Sequence, residues 1–123
     1  MEIRELTKAE EEIMQVMWNL EKAFVKNVIE KLPEPKPAYN TVSTIIRILE
    51  QKGFIDHVAY GKTYEYFPII SRDDYRKFAS SKLMSSYFGG SLKQMVSFFV
   101  NEEKIDLKEA DEIMKLMEQV KDE

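Results

Sequence analysis

The 123 residues suffice for one ordinary domain, or for a small domain with an appendage, which excludes a large multidomain enzyme. With 44% hydrophobic and 33% charged residues the chain can bury a core, while the absence of Cys and the single His remove disulfide frameworks and the usual zinc and acid/base constellations. The net charge of -4 argues against a nucleic-acid binder, since Lys and Arg contacts to phosphate supply most non-specific affinity. We predict no cofactor and no metal site.

The N-terminal segment carries no targeting signal. It is acidic and lacks an apolar region, and no apolar run in the chain approaches the roughly 18 residues that span a bilayer. We therefore expect a cytoplasmic protein with no membrane insertion.

Three helices are predicted in the first half of the chain. Thr7 followed by Glu10 is a capping-box pattern for a helix over about 8–20, and apolar spacing from Val25 to Leu32 indicates a second, shorter helix. The proline-rich segment 33–38 is a stiff loop. A third helix over about 40–52 has an apolar stripe on one side and a polar face on the other, formed by Asn40, Ser43, Thr44, Arg47 and Gln51.

A β-hairpin follows the third helix. Residues 54–60 and 63–67 are rich in aromatic and β-branched residues and are separated by Gly61 and Lys62, which is typical of two strands joined by a tight turn. A helix-turn-helix with an appended hairpin is the winged-helix arrangement. We assign the tyrosines of the hairpin to cross-strand pairs and core anchors, and His57 to a strand position without a metal role.

Only helices are predicted beyond Pro68. Ser71 caps one helix, Gly89 and Gly90 end it, and Asp106 caps the last one. Their apolar stripes fit either a tail packed on the same chain or an intersubunit core. We favour the second, because the first domain offers too little surface to cover them. The residues assigned to dimerisation are Leu83, Tyr87, Leu92, Met95, Val96, Phe98, Phe99, Ile113, Met114, Met117 and Val120.

The predicted fold class is therefore mainly α with a small β-hairpin. Residues 1–70 form a winged helix-turn-helix domain that binds DNA, and residues 71–123 form a helical dimerisation region. Arg matches guanine, and Asn or Gln matches adenine, so the polar face of the third helix has the chemistry to read base edges. Any surface helix also exposes polar residues, so the polar face alone is weak evidence for DNA binding. The hairpin that follows the helix strengthens the interpretation, because together they form a winged helix.

The acidic total is not evenly distributed. Residues 1–70 hold nine basic and eleven acidic side chains, whereas residues 36–64 hold four basic and two acidic ones. The predicted DNA face is thus locally positive, though one copy offers few phosphate contacts.

The segment LTKAEEEIMQVMWNL, followed by AYNTVSTIIRILEQKGFIDH, an aromatic hairpin and YFGGSLKQMVSFFV, resembles the penicillinase-repressor (BlaI/MecI) family of bacterial transcriptional repressors over essentially the whole chain. The resemblance implies a homodimeric winged-helix repressor on operator dyads, removed when a membrane sensor-protease pathway causes cleavage in its C-terminal region. It places seven residues at the DNA, of which the first six lie on the reading helix and the last in the wing: Tyr39, Asn40, Thr41, Ser43, Thr44, Arg47 and Lys62.

The sequence departs from the family pattern in three ways. Many relatives carry a basic residue after Arg47, where this chain has Ile48. The Asn-Phe bond cut in penicillinase repressors has no equivalent, because no Asn precedes Phe98 or Phe99. Copper-responsive relatives carry C-terminal cysteines, and this chain has none.

We predict a sequence-specific, non-enzymatic repressor that binds a pseudo-palindromic double-stranded operator as a homodimer and is relieved by signal-induced loss of dimerisation, for which proteolysis is one route. The alternative is a winged-helix module that binds another protein, which a negative potential around Asn40, Ser43 and Arg47 would favour. An enzyme is a distant third, since no nucleophile, base and orienting group occur together.

Overall fold

A computed structural model describes residues 2–121 and, within them, all side chains except those of Met117, Val120 and Lys121. Two residues assigned to dimerisation, Met117 and Val120, thus have side chains outside the described residues. The described part is mainly helical with one antiparallel hairpin, as predicted, in the order α1 (Lys8–Leu20), α2 (Val25–Lys31), α3 (Tyr39–Gln51), β1 (Ile55–Tyr60), β2 (Thr63–Pro68), α4 (Arg72–Tyr87), α5 (Leu92–Asn101) and α6 (Leu107–Lys121).

The predicted capping box begins α1. Thr7 Oγ1 accepts a hydrogen bond from the Glu10 amide at 3.2 Å, and Glu10 Oε1 accepts one from the Thr7 amide at 2.9 Å. These bonds satisfy two amides that a helix start leaves unpaired. The helix therefore begins where the sequence predicted.

The first three helices bury their apolar faces against one another. Met14 and Met17 of α1, Val28 of α2, and Val42 and Ile46 of α3 are fully buried. Each face follows the spacing of three and four residues that a helix places on one side. Packing of this face fixes which side of α3 points outward.

The hairpin pairs β1 with β2 from Ile55 opposite Pro68 to Tyr60 opposite Thr63. Gly61 in the turn has a φ of 64°, a conformation that glycine adopts without steric cost. The predicted turn residues are therefore at the tip of the hairpin.

The chain divides into two compact units, Met1–Phe78 and Ala79–Glu123. The first extends beyond residue 70 because Tyr75 is buried in its core, and the Tyr75 hydroxyl accepts a hydrogen bond from the Leu6 amide at 3.0 Å. Trp18 Nε1 also donates to the Ile70 carbonyl at 2.9 Å. The functional division at residue 70 stays a prediction.

In the second unit, α5 and α6 pack together and bury Val96 and Ala110. Ser91 caps α5, and Asp106 Oδ1 accepts from the Glu109 amide at 2.7 Å at the start of α6. Among residues 2–121, no helix is both long and apolar enough to cross a bilayer.

A buried ion pair ties α1 to the end of α3. Lys52 Nζ lies 2.7 Å from Glu10 Oε1, the oxygen that also accepts from the Thr7 amide. Burial raises the pKa of the Glu10 carboxyl, but the hydrogen bonds from Lys52 and Thr7, with the charge of Lys52, outweigh burial and hold this pKa below its ordinary value of 4.5.

The Glu10→Gln variant, which keeps an acceptor for the Thr7 amide but loses the charge, tests this pair. We expect it to lower the free energy of unfolding by about 1–3 kcal/mol at neutral pH. Because the folded pKa is depressed, the charge stabilises the fold above pH 4.5 and loses this effect as the pH falls through the folded value.

Urea denaturation at neutral pH and at about pH 3 measures the difference between wild type and variant, which should shrink in acid. Glu11→Gln, at an exposed position of the same helical turn, is the matched control. An equal loss for Glu10→Gln at both pH values would contradict the electrostatic account.

Candidate nucleic-acid interface

The outer face of α3 carries the side chains assigned to DNA reading. Since Val42, Ile46 and Leu49 are buried, the other side of the helix points away from the core. Ser43 is half-buried, and the remaining predicted positions on this helix are exposed: Tyr39, Asn40, Thr41, Thr44 and Arg47. Lys62 is exposed at the hairpin tip. The fold thus brings the predicted residues to one surface, while their contact with DNA stays a prediction.

A short backbone pairing brings α2 next to the hairpin. The Ala23 amide donates to the Tyr66 carbonyl at 2.9 Å, and the Tyr66 amide donates to the Ala23 carbonyl at 2.8 Å. Ala23 immediately precedes the N-cap of α2, so this isolated bridge attaches the start of α2 to β2 of the two-stranded sheet. The sequence analysis did not predict it.

The space between α2, α3 and the hairpin forms an open groove of about 660 Å³, here called the basic groove. It is lined by residues of all three elements: Phe24, Val25, Lys26, Tyr39, Ser43, Arg47, Lys62, Thr63, Tyr64 and Tyr66. Four of the residues assigned to DNA line it. None of these described lining residues is acidic.

The positive charge of this surface comes from a different set of cations than the regional count suggested. Lys52 is paired with Glu10, and Lys36 Nζ donates to three carbonyls at the end of α2 at 2.8–3.2 Å. Within the described part of the chain, Lys26, Arg47 and Lys62 form no ion pair or hydrogen bond through their side chains. Lys36 and Lys52 are thus engaged elsewhere, and Lys26, which lies outside residues 36–64, contributes to the groove instead.

Tyr66 is the most deeply buried polar side chain of the groove wall, with 5% of its surface exposed. Burial and the negative charge of Glu50 raise the pKa of its hydroxyl, and the positive charge of Arg47 acts in the opposite direction. Tyr66 is therefore a neutral phenol close to both charges. Its ring also meets Tyr64 edge-on, with centroids 6.3 Å apart.

One group of possible metal donors lies near the base of the hairpin. Glu50, Asp56 and His57 place one donor atom each within 4.8 Å of one another. His57 Nδ1 already pairs with the Glu50 carboxylate, and its ring stacks on Tyr64 at 4.1 Å. His57 is in β1, as predicted, and its contacts link α3 to the hairpin.

The residues assigned to dimerisation divide by exposure within the second unit. Val96 is buried by the chain itself, and five others are half-buried: Leu92, Met95, Phe99, Ile113 and Met114. Leu83, Tyr87 and Phe98 are 42%, 77% and 48% exposed. An open groove of about 830 Å³ contains these three together with Phe88 and Phe99. An apolar surface of this kind is what a protein interface requires.

Lys26 and the hairpin residues Thr63, Tyr64 and Tyr66 were not assigned to a site from the sequence. Lys26 sits in a helix with no motif of its own, and the long-range contacts of Ala23 and Phe24 place it beside the hairpin. The alternation of β2 does offer a signal, because Tyr64 and Tyr66 must share one face of the sheet. What occupies that side of the sheet is set by the tertiary fold.

Known proteins are similar to this chain in sequence. The penicillinase repressor family model matches residues 6–119. The methicillin resistance regulatory protein MecI of Staphylococcus aureus (strain N315) is 27% identical over 114 residues, covering 92% of this chain and 93% of that protein. The penicillinase repressor of Bacillus licheniformis is 27% identical over 120 residues, covering 97% of this chain and 94% of that protein.

Two solved structures agree on the fold. The solution structure of the DNA binding domain of the repressor BlaI matches with a TM-score of 0.53 and 29% identity, covering 60% of this chain and 92% of that chain. The structure titled the complex structure of hsRosR-S4 matches with a TM-score of 0.54 and 18% identity, covering 82% of this chain and 91% of that chain. These matches confirm the predicted fold class, and the match over residues 6–119 confirms the resemblance: the chain belongs to the penicillinase repressor family.

Proposed function

We propose that this chain represses transcription as a homodimer that occupies a pseudo-palindromic DNA operator. In this proposal α3 lies in the major groove and the hairpin contacts the flanking backbone. The family is one of transcriptional repressors and not of enzymes, which agrees with the sequence prediction. The observation that carries the proposal is the outward face of α3 beside three cations without ionic partners in the described chain.

The charge arrangement favours DNA over a protein partner. Ser43 and Arg47 border a groove that contains Lys26 and Lys62 and no acidic lining residue. This is the opposite of the negative surface that a protein-interaction module would present there. Phosphate oxygens are the matching partners for Lys and Arg.

Dimerisation is part of the proposal because one copy offers few free cations. Two copies related by a twofold axis would place two α3 helices in successive major grooves and double the phosphate contacts. The exposed Leu83, Tyr87 and Phe98 support the second unit as the interface. Loss of this interface after a signal would then release the operator, since each half binds weakly alone.

The variant Arg47→Ala tests base reading by α3. We expect a loss of operator affinity of about 1–3 kcal/mol and a relaxed preference at one base position in each half-site. Gel-shift titration against the promoter of the chain's own operon, with single base changes, measures both. Arg4→Ala, at an exposed position before α1, is the control and should leave binding unchanged. An unaltered base preference for Arg47→Ala would remove Arg47 from the reading surface.

The variant Lys62→Ala tests the hairpin contact. We expect weaker binding that is similar for all sequences, with the salt dependence of the binding constant reduced by about one unit of log–log slope per subunit. Titrations across a range of salt concentrations measure this slope, and Lys31→Ala on an exposed part of α2 serves as the control. A slope identical to that of the wild type would mean that the hairpin tip stays away from phosphate.

The variant Tyr87→Ser tests the dimer interface, because Tyr87 is 77% exposed and projects from the apolar groove of the second unit. We expect the dimer dissociation constant to rise roughly tenfold, the effect of losing a buried aromatic anchor. Sedimentation equilibrium measures it. Ile69→Ser, at an apolar residue of the first unit with 45% exposure, is the control. A monomeric wild type at micromolar concentration would refute the proposal of a homodimer.

A further inference from the structure

We propose that the basic groove is a binding site for a small aromatic phosphate, and that this ligand competes with operator DNA. The site itself follows from the groove alone, while the competition rests on the function proposed above. Three features of the groove carry the inference: a solvent-accessible hydroxyl without a protein partner among the described residues, cations from three elements, and aromatic walls.

The hydroxyl of Tyr66 has no hydrogen-bond partner among the described residues, and its oxygen is not one of their sealed, unpaired side-chain atoms. Solvent therefore reaches this oxygen, although only 5% of the residue is exposed. Because Tyr66 lines the groove, its hydroxyl can donate a hydrogen bond to a ligand there in place of water. The raised pKa keeps the phenol protonated and able to donate.

Three cations approach the groove from three different elements. Lys26 belongs to α2, Arg47 to α3 and Lys62 to the turn of the hairpin. None has an ionic partner within the described chain, and no acidic residue lines the groove. Three positive charges favour a phosphate dianion over a carboxylate, which carries a single negative charge. The guanidinium of Arg47 can also bind two phosphate oxygens at once.

Aromatic residues form the rest of the walls. Phe24, Tyr39 and Tyr64 line the groove with Tyr66, and Phe24 and Tyr39 stand at the starts of two different helices. A planar ring gains about 0.5–1.5 kcal/mol from each stacked or edge-on aromatic contact beyond its buried area. The volume of about 660 Å³ lies within the range of small-molecule sites. A ring carrying a phosphate therefore fits both the walls and the charges.

The groove shares four residues with the proposed DNA surface: Tyr39, Ser43, Arg47 and Lys62. A ligand among these side chains would neutralise their charge and occupy the entrance that the DNA backbone needs. Binding of the two partners is therefore mutually exclusive, and the ligand lowers the apparent operator affinity by mass action.

The probe for the site is 1-naphthyl phosphate, with 1-naphthol and inorganic phosphate as the separate halves. We expect amide chemical shifts of the full-length chain to change around the groove, with the probe binding at least roughly tenfold more tightly than either half, because both contacts contribute. Shift changes scattered over the surface, or equal binding of inorganic phosphate, would overturn the proposal.

The variant Tyr66→Phe removes only the hydroxyl, and should weaken binding of the probe roughly tenfold, the usual effect of a hydrogen bond to a charged group. Tyr60→Phe in the same hairpin is the matched control, since Tyr60 is 57% exposed and does not line the groove. Lys26→Met with Lys31→Met as control gives a second, independent pair on α2. If Tyr66→Phe and Lys26→Met both bind like their controls, the site assignment is wrong.

Competition is measured separately with fluorescently labelled operator. The expected result is that 1-naphthyl phosphate releases the operator from the wild type and releases it less readily from Tyr66→Phe. If the chain binds operator and the probe releases none, the competition proposal fails while the proposed function stands. If the probe binds the groove and no operator binds at all, the proposed function fails while the site stands.

Discussion

The pairing of Ala23 with Tyr66 is the interaction on which the basic groove depends. Two backbone hydrogen bonds of 2.9 and 2.8 Å attach the start of α2 to the second strand of the hairpin. Next to this bridge, the Phe24 ring contacts Tyr60 beside the turn, with centroids 6.2 Å apart, so the start of α2 follows the hairpin along its length. These contacts bring α2, α3 and the hairpin together around the basic groove. Backbone pairing of this kind is insensitive to side-chain identity, so the surface can vary in sequence while its frame stays constant.

Local patterns predicted most of the fold. The capping box at Thr7, the stripe ending at Leu49 and the turn at Gly61 each depend on neighbours within a few residues, which the sequence displays directly. The Ala23 bridge and the burial of Tyr75 join residues more than forty positions apart, and no local pattern signals them. The site follows the same division: the outward face of α3 was predictable, and the groove beside it was not.

The sequence also does not show which positive charges are available at this surface. A regional count treats every lysine as available, yet Lys52 is held by Glu10, and Lys36 binds the carbonyl end of α2. The count gave the correct sign with partly incorrect residues, because Lys26 enters the surface through the tertiary fold. Under the proposed function, an acidic protein with three cations at its DNA surface would bind DNA weakly as a single copy. Stable repression would then need two copies, and operator occupancy would rise steeply with the concentration of the protein.

The clamp of Lys36 has a consequence for how α3 meets any partner. Its ammonium group donates to the carbonyls of Ile29, Glu30 and Leu32, and so fastens the proline-rich segment to the end of α2. The segment that enters α3 is therefore already ordered in the free protein. The binding of a partner to α3 does not have to supply the conformational entropy cost of fixing this segment, so that cost does not reduce the affinity.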